Sequence, residues 1–122
     1  MQDFKSLNVW KKSHELTLKV YSVTSNFPKD ELFALVSQMR RSSSSIPTNI
    51  AEGCGRRTAD DFAHFLQMAL GSTFEIEYQV LLSADLNYIS RDTETELTAL
   101  ILDVKRMLSV LINKVRAGKT DN

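Results

Sequence analysis

One apolar stripe constrains this chain more than any other feature. Leu32, Leu35, Val36, Met39, Ile46 and Ile50 recur at helical spacings, and the stripe passes straight through "RRSSSSIP". Ser43 occupies the stripe position between Met39 and Ile46. A flexible linker carries no such phase, so the serines read as small residues on a helix. Pro47 complicates the element. It lacks an N–H and crowds the carbonyl of residue 43, so it either bends the helix or divides it into two shorter ones. Small serines nearby leave room for a bend, and their hydroxyls can bond back to helix carbonyls. "NFPKDE" marks the start of the element, with Pro28, Asp30 and Glu31 suited to a first helical turn. Gly53 and Gly55 end it, both able to take left-handed cap geometry.

The remaining segments are also helical in period. From Asn8 to Ser25 two apolar faces alternate: Leu7, Trp10, His14, Leu18 and Tyr21 on one, and Val9, Leu16, Val20, Val23 and Phe27 on nearly the opposite one. Two stripes predict burial from two sides, either as a central bundle helix or as an inner face plus a subunit interface. Val9, Leu16, Val20 and Val23 are the interface candidates. A third segment opens at the capping-box pattern Thr58-x-x-Asp61 and is apolar on almost every side, which predicts burial nearly all round. Gly71-Ser72 at its middle predicts close approach by a neighbouring backbone. The fourth begins at Thr93-x-x-Glu96 and carries Leu97, Leu100, Ile101, Val104, Leu108, Leu111 and Val115, with Gly118 as its stop. Helices over about 8–25, 30–53, 58–87 and 93–117, joined by short links, predict one all-α domain over 1–122, an antiparallel up-down-up-down four-helix bundle. The final "KTDN" is expected to fray.

Charge narrows the function. Fifteen Lys and Arg balance fifteen Asp and Glu, so no broad polyanion-binding surface is advertised. A single cysteine, Cys54, leaves no intrachain disulfide. "MQDFKSLNVWKK" lacks a signal-peptide profile and no apolar run approaches membrane-spanning length, so a cytoplasmic protein without membrane contact is expected.

Gln38, Arg41, Ser45, Asn49 and Glu52 form a polar stripe beside the apolar one. Glu75 and Glu77 lie on the third helix, which contains no Lys or Arg, and Arg41 is a natural partner for one of them. Such a network serves catalysis or anion binding, or else fixes helix register or a subunit interface; the structural role is preferred, because the stripe holds no evident nucleophile or base. A di-metal bundle needs two Glu-x-x-His motifs, and Asp61-x-x-His64 is a single imperfect match, so no metal or other cofactor is expected. His14 reads as a core histidine. Cys54, near Arg56 and Arg57, is in a setting that favours a thiolate, but no His partner is evident, so a bystander thiol is expected. Lys11, Lys12, Arg40, Arg56 and Arg57 are the candidate contacts for RNA or DNA. A small metal- or thiol-dependent enzyme is the remaining alternative.

The segments "FKSLNVWKKSHEL", "FPKDELFALVSQMRR", "SIPTNIAEG", "FAHFLQMALGSTFEIE" and "LDVKRMLSVLINKV" together resemble the bacterial proteins encoded in 23S rRNA intervening sequences. The resemblance implies a four-helix bundle that assembles into a homopentamer, with the second helix bent near Pro47 and its polar stripe structural. Related accessory proteins of diversity-generating retroelements bind nucleic acid and dock onto a reverse transcriptase; the balanced charge here departs from their basic character. The expectation is a non-enzymatic, homo-oligomeric scaffold with a protein partner. A nucleic-acid-binding accessory protein is the alternative.

Overall fold

The computed structural model of the chain describes residues 2–118, which leaves "KTDN" outside the described residues. It is all-helical, with four long helices and no strand among the described residues: α1 (Asn8–Thr24), α2 (Ser37–Cys54), α3 (Ala59–Asp85) and α4 (Arg91–Gly118). A short 3-10 turn, Phe4–Ser6, precedes α1. Another, Lys29–Glu31, leads into a π-helical turn, Leu32–Val36, which runs directly into α2. The segment expected to be one helix from residue 30 therefore begins with two other helical geometries.

Around the bundle each helix packs against two others, in the order α1, α2, α3, α4 and back to α1. Thr24 meets Arg40 and Thr17 meets Ser43 across α1 and α2. Arg41 meets Glu75, Ser42 meets Gln79 and Ser45 meets Ser72 across α2 and α3. Lys105 meets Glu77 across α3 and α4, and Lys19 meets Glu96 across α1 and α4. The centre is filled by Leu16, Met39, Ile46, Ile50, Leu66, Ile76, Leu97, Ile101 and Leu108, all fully buried. Burying a side chain of this size stabilises the fold by about 1.5–3 kcal/mol each before entropy is counted.

α2 runs unbroken through the serines and Pro47. Ser42 and Ser43 are fully buried, as positions on or beside the apolar stripe should be. With no N–H at Pro47, the Ser43 carbonyl loses its helical donor. The Thr17 hydroxyl of α1 supplies one instead, at 3.0 Å, while also donating to Ser13 O at 2.9 Å.

The caps differ from expectation at two helix ends. Thr58 does cap α3, its Oγ1 accepting from the Asp61 N–H at 3.1 Å. α4, however, starts two residues before Thr93, and Ser90 caps it by accepting the Thr93 N–H at 3.1 Å. Neither Gly53 nor Gly55 takes a left-handed conformation; the positive φ belongs to Asn87, at 62°, just past α3. There the Tyr88 N–H reaches back to Ser83 O and the Asn87 N–H to Ala84 O, which closes the helix end.

The two mid-chain glycines also exchange roles. A Cβ at Gly53 would lie 2.9 Å from Phe62 Cδ1 and 3.0 Å from Phe65 Cβ, so this glycine admits the close approach of α3. At Gly71 a Cβ would meet nothing within 4 Å. The neighbouring backbone expected there is missing from the chain's own fold.

Candidate functional site

The polar stripe of α2 divides into separate pieces. Arg41 Nη2 donates to Gln38 Oε1 at 2.6 Å and to Glu75 Oε2 at 3.1 Å. The pair is open to solvent, with side-chain exposures of 61% for Arg41 and 40% for Glu75, so no buried carboxylate depends on Arg41. Ser45 Oγ donates to Ser72 Oγ, and Asn49 Nδ2 donates to Ser45 O at 2.8 Å. Glu52 turns to Arg56 within its own neighbourhood, at 3.3 Å. Glu77 faces the other way and pairs with Lys105 of α4 at 2.7 Å. These residues tie α2 to α3 and α3 to α4 at the surface rather than forming one network.

The inner polar contacts were missed by sequence reasoning. Ser42 Oγ donates to Gln79 Oε1 at 2.6 Å in the α2–α3 seam, and Ser83 Oγ donates to Gln79 O at 2.8 Å. Ser13, Thr17 and Thr24 are buried, Thr17 and Thr24 against α2, although their flank of α1 reads as polar. No buried side-chain polar atom among the described residues lacks a partner. A signal for Thr17 was present: a proline inside a buried helix orphans a known carbonyl, and a hydroxyl on a packed neighbour can serve it.

Arg40 and Arg56 lie at opposite ends of α2. Arg40 lies at the C-terminal end of α1, donating to Thr24 Oγ1 at 3.0 Å and Tyr21 O at 3.2 Å and stacking over the Tyr21 ring at 4.8 Å. Arg56 follows the other end of α2 and stacks over Phe65 at 4.5 Å. Arg57 and Lys11 are exposed and Lys12 is half-buried. The two ends of α2 thus carry separate charge, not one basic stripe.

Cys54 is buried, and that burial pushes its thiol above the usual value, opposite to the shift that Arg56 and Arg57 nearby would favour. Arg56 is directed to Glu52 and Phe65 instead. His14 is exposed, stacked on Trp10 at 5.0 Å between ring centroids, and is no core histidine. His64 is exposed beside Phe65. Among the described residues no three His, Cys, Asp or Glu side chains are grouped as metal ligands would be.

Burial also corrects the interface candidates. Val9, Leu16 and Val20 are buried in the chain's own core and Val23 is half-buried, so that face of α1 is already used. The exposed apolar surface lies elsewhere. On α1 it is Leu18 and Tyr21; on the π-helical turn it is Leu32 and Phe33, the latter 92% exposed. α3, expected to be covered all round, leaves Met68, Phe74, Tyr78 and Leu81 open, with Gly71 in the same row. Two shallow grooves mark these places. Tyr21, Leu32, Phe33, Val36, Arg40 and Arg41 line much of one, about 530 Å³ in volume, on the α1–α2 edge. Phe74, Glu77, Tyr78, Leu81, Glu94 and Thr98 line the other, about 410 Å³, on the α3–α4 edge. No helix among the described residues is long and apolar enough to cross a membrane.

No curated protein matches the chain. Among solved structures it is similar to a protein of unknown function from the S23 ribosomal protein family of Bacteroides thetaiotaomicron VPI-5482, with a TM-score of 0.80. The two are 25% identical, and the match covers 86% of this chain and 95% of that one. The family described as 23S rRNA-intervening sequence protein matches residues 5–110, which spans all of α1, α2 and α3 and most of α4. By that match, this helical chain belongs to the 23S rRNA-intervening sequence protein family.

Proposed function

We propose that this protein is a non-enzymatic, cytoplasmic homo-oligomer, a pentamer of antiparallel up-down-up-down bundles with α2 bent at Pro47, and that it acts as a scaffold for a protein partner. The observation that carries this reading is the solvent face of α3. Phe74, Tyr78 and Leu81 sit at spacings of four and three, together with Met68, and all four are exposed in the single chain. A soluble monomer rarely presents so continuous an apolar row, whereas an assembly surface does. Gly71 adds to this: a helix-interior glycine costs about 1 kcal/mol relative to alanine, and nothing within the chain takes up the space it leaves. The pairwise helix contacts support the alternating helix directions, and the Thr17 bond to Ser43 O supports a helix adapted to its proline.

Sedimentation velocity over a wide concentration range tests the reading. A species of about five times the 13.8 kDa chain mass is expected. A monomer at every concentration refutes it. Labelled single-stranded RNA and duplex DNA, titrated at several salt concentrations in the same buffers, address the alternative. Tight binding with a steep salt slope, lost together with Arg40, Arg56 and Arg57, would replace the protein-scaffold reading with a polyanion-binding one.

A further inference from the structure

The turn that opens α2 departs from the phase of its own sequence. Counted at about 3.6 residues per turn, Leu32 shares the apolar stripe of Val36, Met39, Ile46 and Ile50. In the structure Leu32 is exposed. The π-helical turn Leu32–Val36 takes up one extra residue and so rotates what precedes it by about 100° around the axis. Phe33 is carried round with it and is the most exposed large apolar side chain among the described residues, at 92%. A continuous α-helix over the same residues returns Leu32 to the stripe and puts Phe33 near the angle that Leu32 now occupies. The segment therefore has two helical registers, one written in the apolar pattern and one adopted.

Glu31 holds the adopted register. Its Oε2 accepts the Tyr88 hydroxyl at 2.7 Å, and its Oε1 accepts the Leu35 N–H at 3.5 Å at the head of the π turn. Tyr88 is itself fixed. It follows Asn87, whose φ of 62° turns the chain out of α3, and its N–H donates to Ser83 O at 2.9 Å. Its ring lies 5.2 Å from that of buried Phe27. The α3–α4 corner thus grips the α1–α2 corner through one side-chain pair. Rotating Glu31 by about 100° takes its carboxylate away from Tyr88, so the bond and the α register exclude each other. Room for the other register is present. A groove of about 280 Å³ lies beside Leu32, walled by Thr24, Phe27, Val36 and Arg40. Leu32 entering it gains apolar cover in exchange for the Glu31–Tyr88 bond.

We infer that Leu32–Val36 is a register switch latched by Tyr88 and Glu31. With the bond made, the π turn presents Leu32 and Phe33 to solvent. With it broken, the turn becomes α-helical, draws Leu32 into the groove beside Phe27 and swings Phe33 by about 100°. Leu32 and Phe33 also wall the larger groove of about 530 Å³ that holds Tyr21, so the register sets which apolar surface the α1–α2 edge offers. A ligand or modification that engages the Tyr88 hydroxyl or the Glu31 carboxylate changes that surface without touching it. The switch is a property of the single chain and does not depend on the oligomeric reading above.

Methyl NMR of the full chain tests it, with relaxation dispersion to read the share of each register and a soluble paramagnetic agent to read the exposure of Leu32. Tyr88→Phe keeps the ring against Phe27 and deletes the donor. The share of molecules in the α register should rise about tenfold or more, the worth of a hydrogen bond to a charged group. Where that register dominates, the Leu32 methyls become protected from the agent. Glu31→Ala breaks the latch from the other side and should act alike, whereas Glu31→Gln retains an acceptor and should stay nearer the wild type. Deleting Ala34, which is exposed, removes the extra residue, so that an α-helix and the latch coexist. In that chain Tyr88→Phe should leave Leu32 exposed. An unchanged Leu32 in Tyr88→Phe and Glu31→Ala overturns the switch, because the pair then adds stability alone. Loss of amide protection over residues 32–36 with Leu32 still exposed overturns it too, because the turn then melts instead of changing register. Protection of Leu32 by Tyr88→Phe in the chain lacking Ala34 overturns the assignment to the π turn.

Discussion

Removing the Thr17 hydroxyl tests how α2 tolerates Pro47. Thr17→Val keeps the branched shape and deletes the donor that serves Ser43 O at 3.0 Å in a buried seam. A buried carbonyl left without a partner costs about 1–3 kcal/mol. The second acceptor of Thr17, Ser13 O, retains its place in α1, so the loss falls chiefly on Ser43. For a chain of this length about 4 °C of melting temperature is lost per kcal/mol, and the urea midpoint should fall with an unchanged slope. The decisive comparison is the same substitution in a Pro47→Ala background. Alanine restores an N–H at position 47, which the Ser43 carbonyl can accept in the ordinary helical way. Thr17→Val should then cost at least about 1 kcal/mol less than in the parent chain, a coupling well above the scatter of independent sites. Equal costs in the two backgrounds, within about 0.5 kcal/mol, would refute the claim that Thr17 compensates for the proline.

Four other outcomes are expected. Arg41→Ala should lower stability by no more than about 1 kcal/mol, because the Arg41–Glu75 pair is solvent-exposed; a urea midpoint loss corresponding to several kcal/mol would show a buried role. Gly53→Ala should destabilise by about 1–3 kcal/mol, since Phe65 Cβ lies too near its backbone to yield. Gly71→Ala, measured at a concentration where the protein is monomeric, should stabilise by about 0.5–1 kcal/mol. Tyr88 donates to Glu31 Oε2 at 2.7 Å, and this contact raises its phenol above the usual value near 10. The folded state holds that proton more tightly, so the contribution of the contact is full below about pH 10 and is lost as pH rises through the raised value. Absorbance titration of tyrosinate should show a late step that Tyr88→Phe removes.

The helices were legible because their apolar periods are strong, and even the serine run declared itself through the phase of Met39, Ser43 and Ile46. Their ends were less so. Thr93-x-x-Glu96 has the spacing of a capping box, yet Ser90 takes the cap, because several hydroxyls near a helix start compete for the same N–H groups. The π-helical turn was not legible at all. It shifts the phase between Leu32 and Val36, so that Leu32, first in the apolar stripe, points outward while Val36 is buried. A period assumed constant across such a turn assigns the wrong face to everything before it.

The site shows a deeper limit of periodicity. An apolar position reads the same whether its cover comes from the same chain or from another copy. α1 and α3 each carry apolar residues on two sides, and pattern alone gave the extra face of α1 to Val9, Leu16 and Val20. The packing order reverses that assignment: these residues fill the core, and the uncovered row belongs to α3 at Phe74, Tyr78 and Leu81. The same holds for the glycines, since the rule that a helical glycine marks close approach is satisfied at Gly53 by Phe62 and Phe65 and at Gly71 by nothing within the chain. If the rule is to hold at both, the missing neighbour at Gly71 is another molecule. The position that breaks the rule inside the single chain is thus also the one that points beyond it.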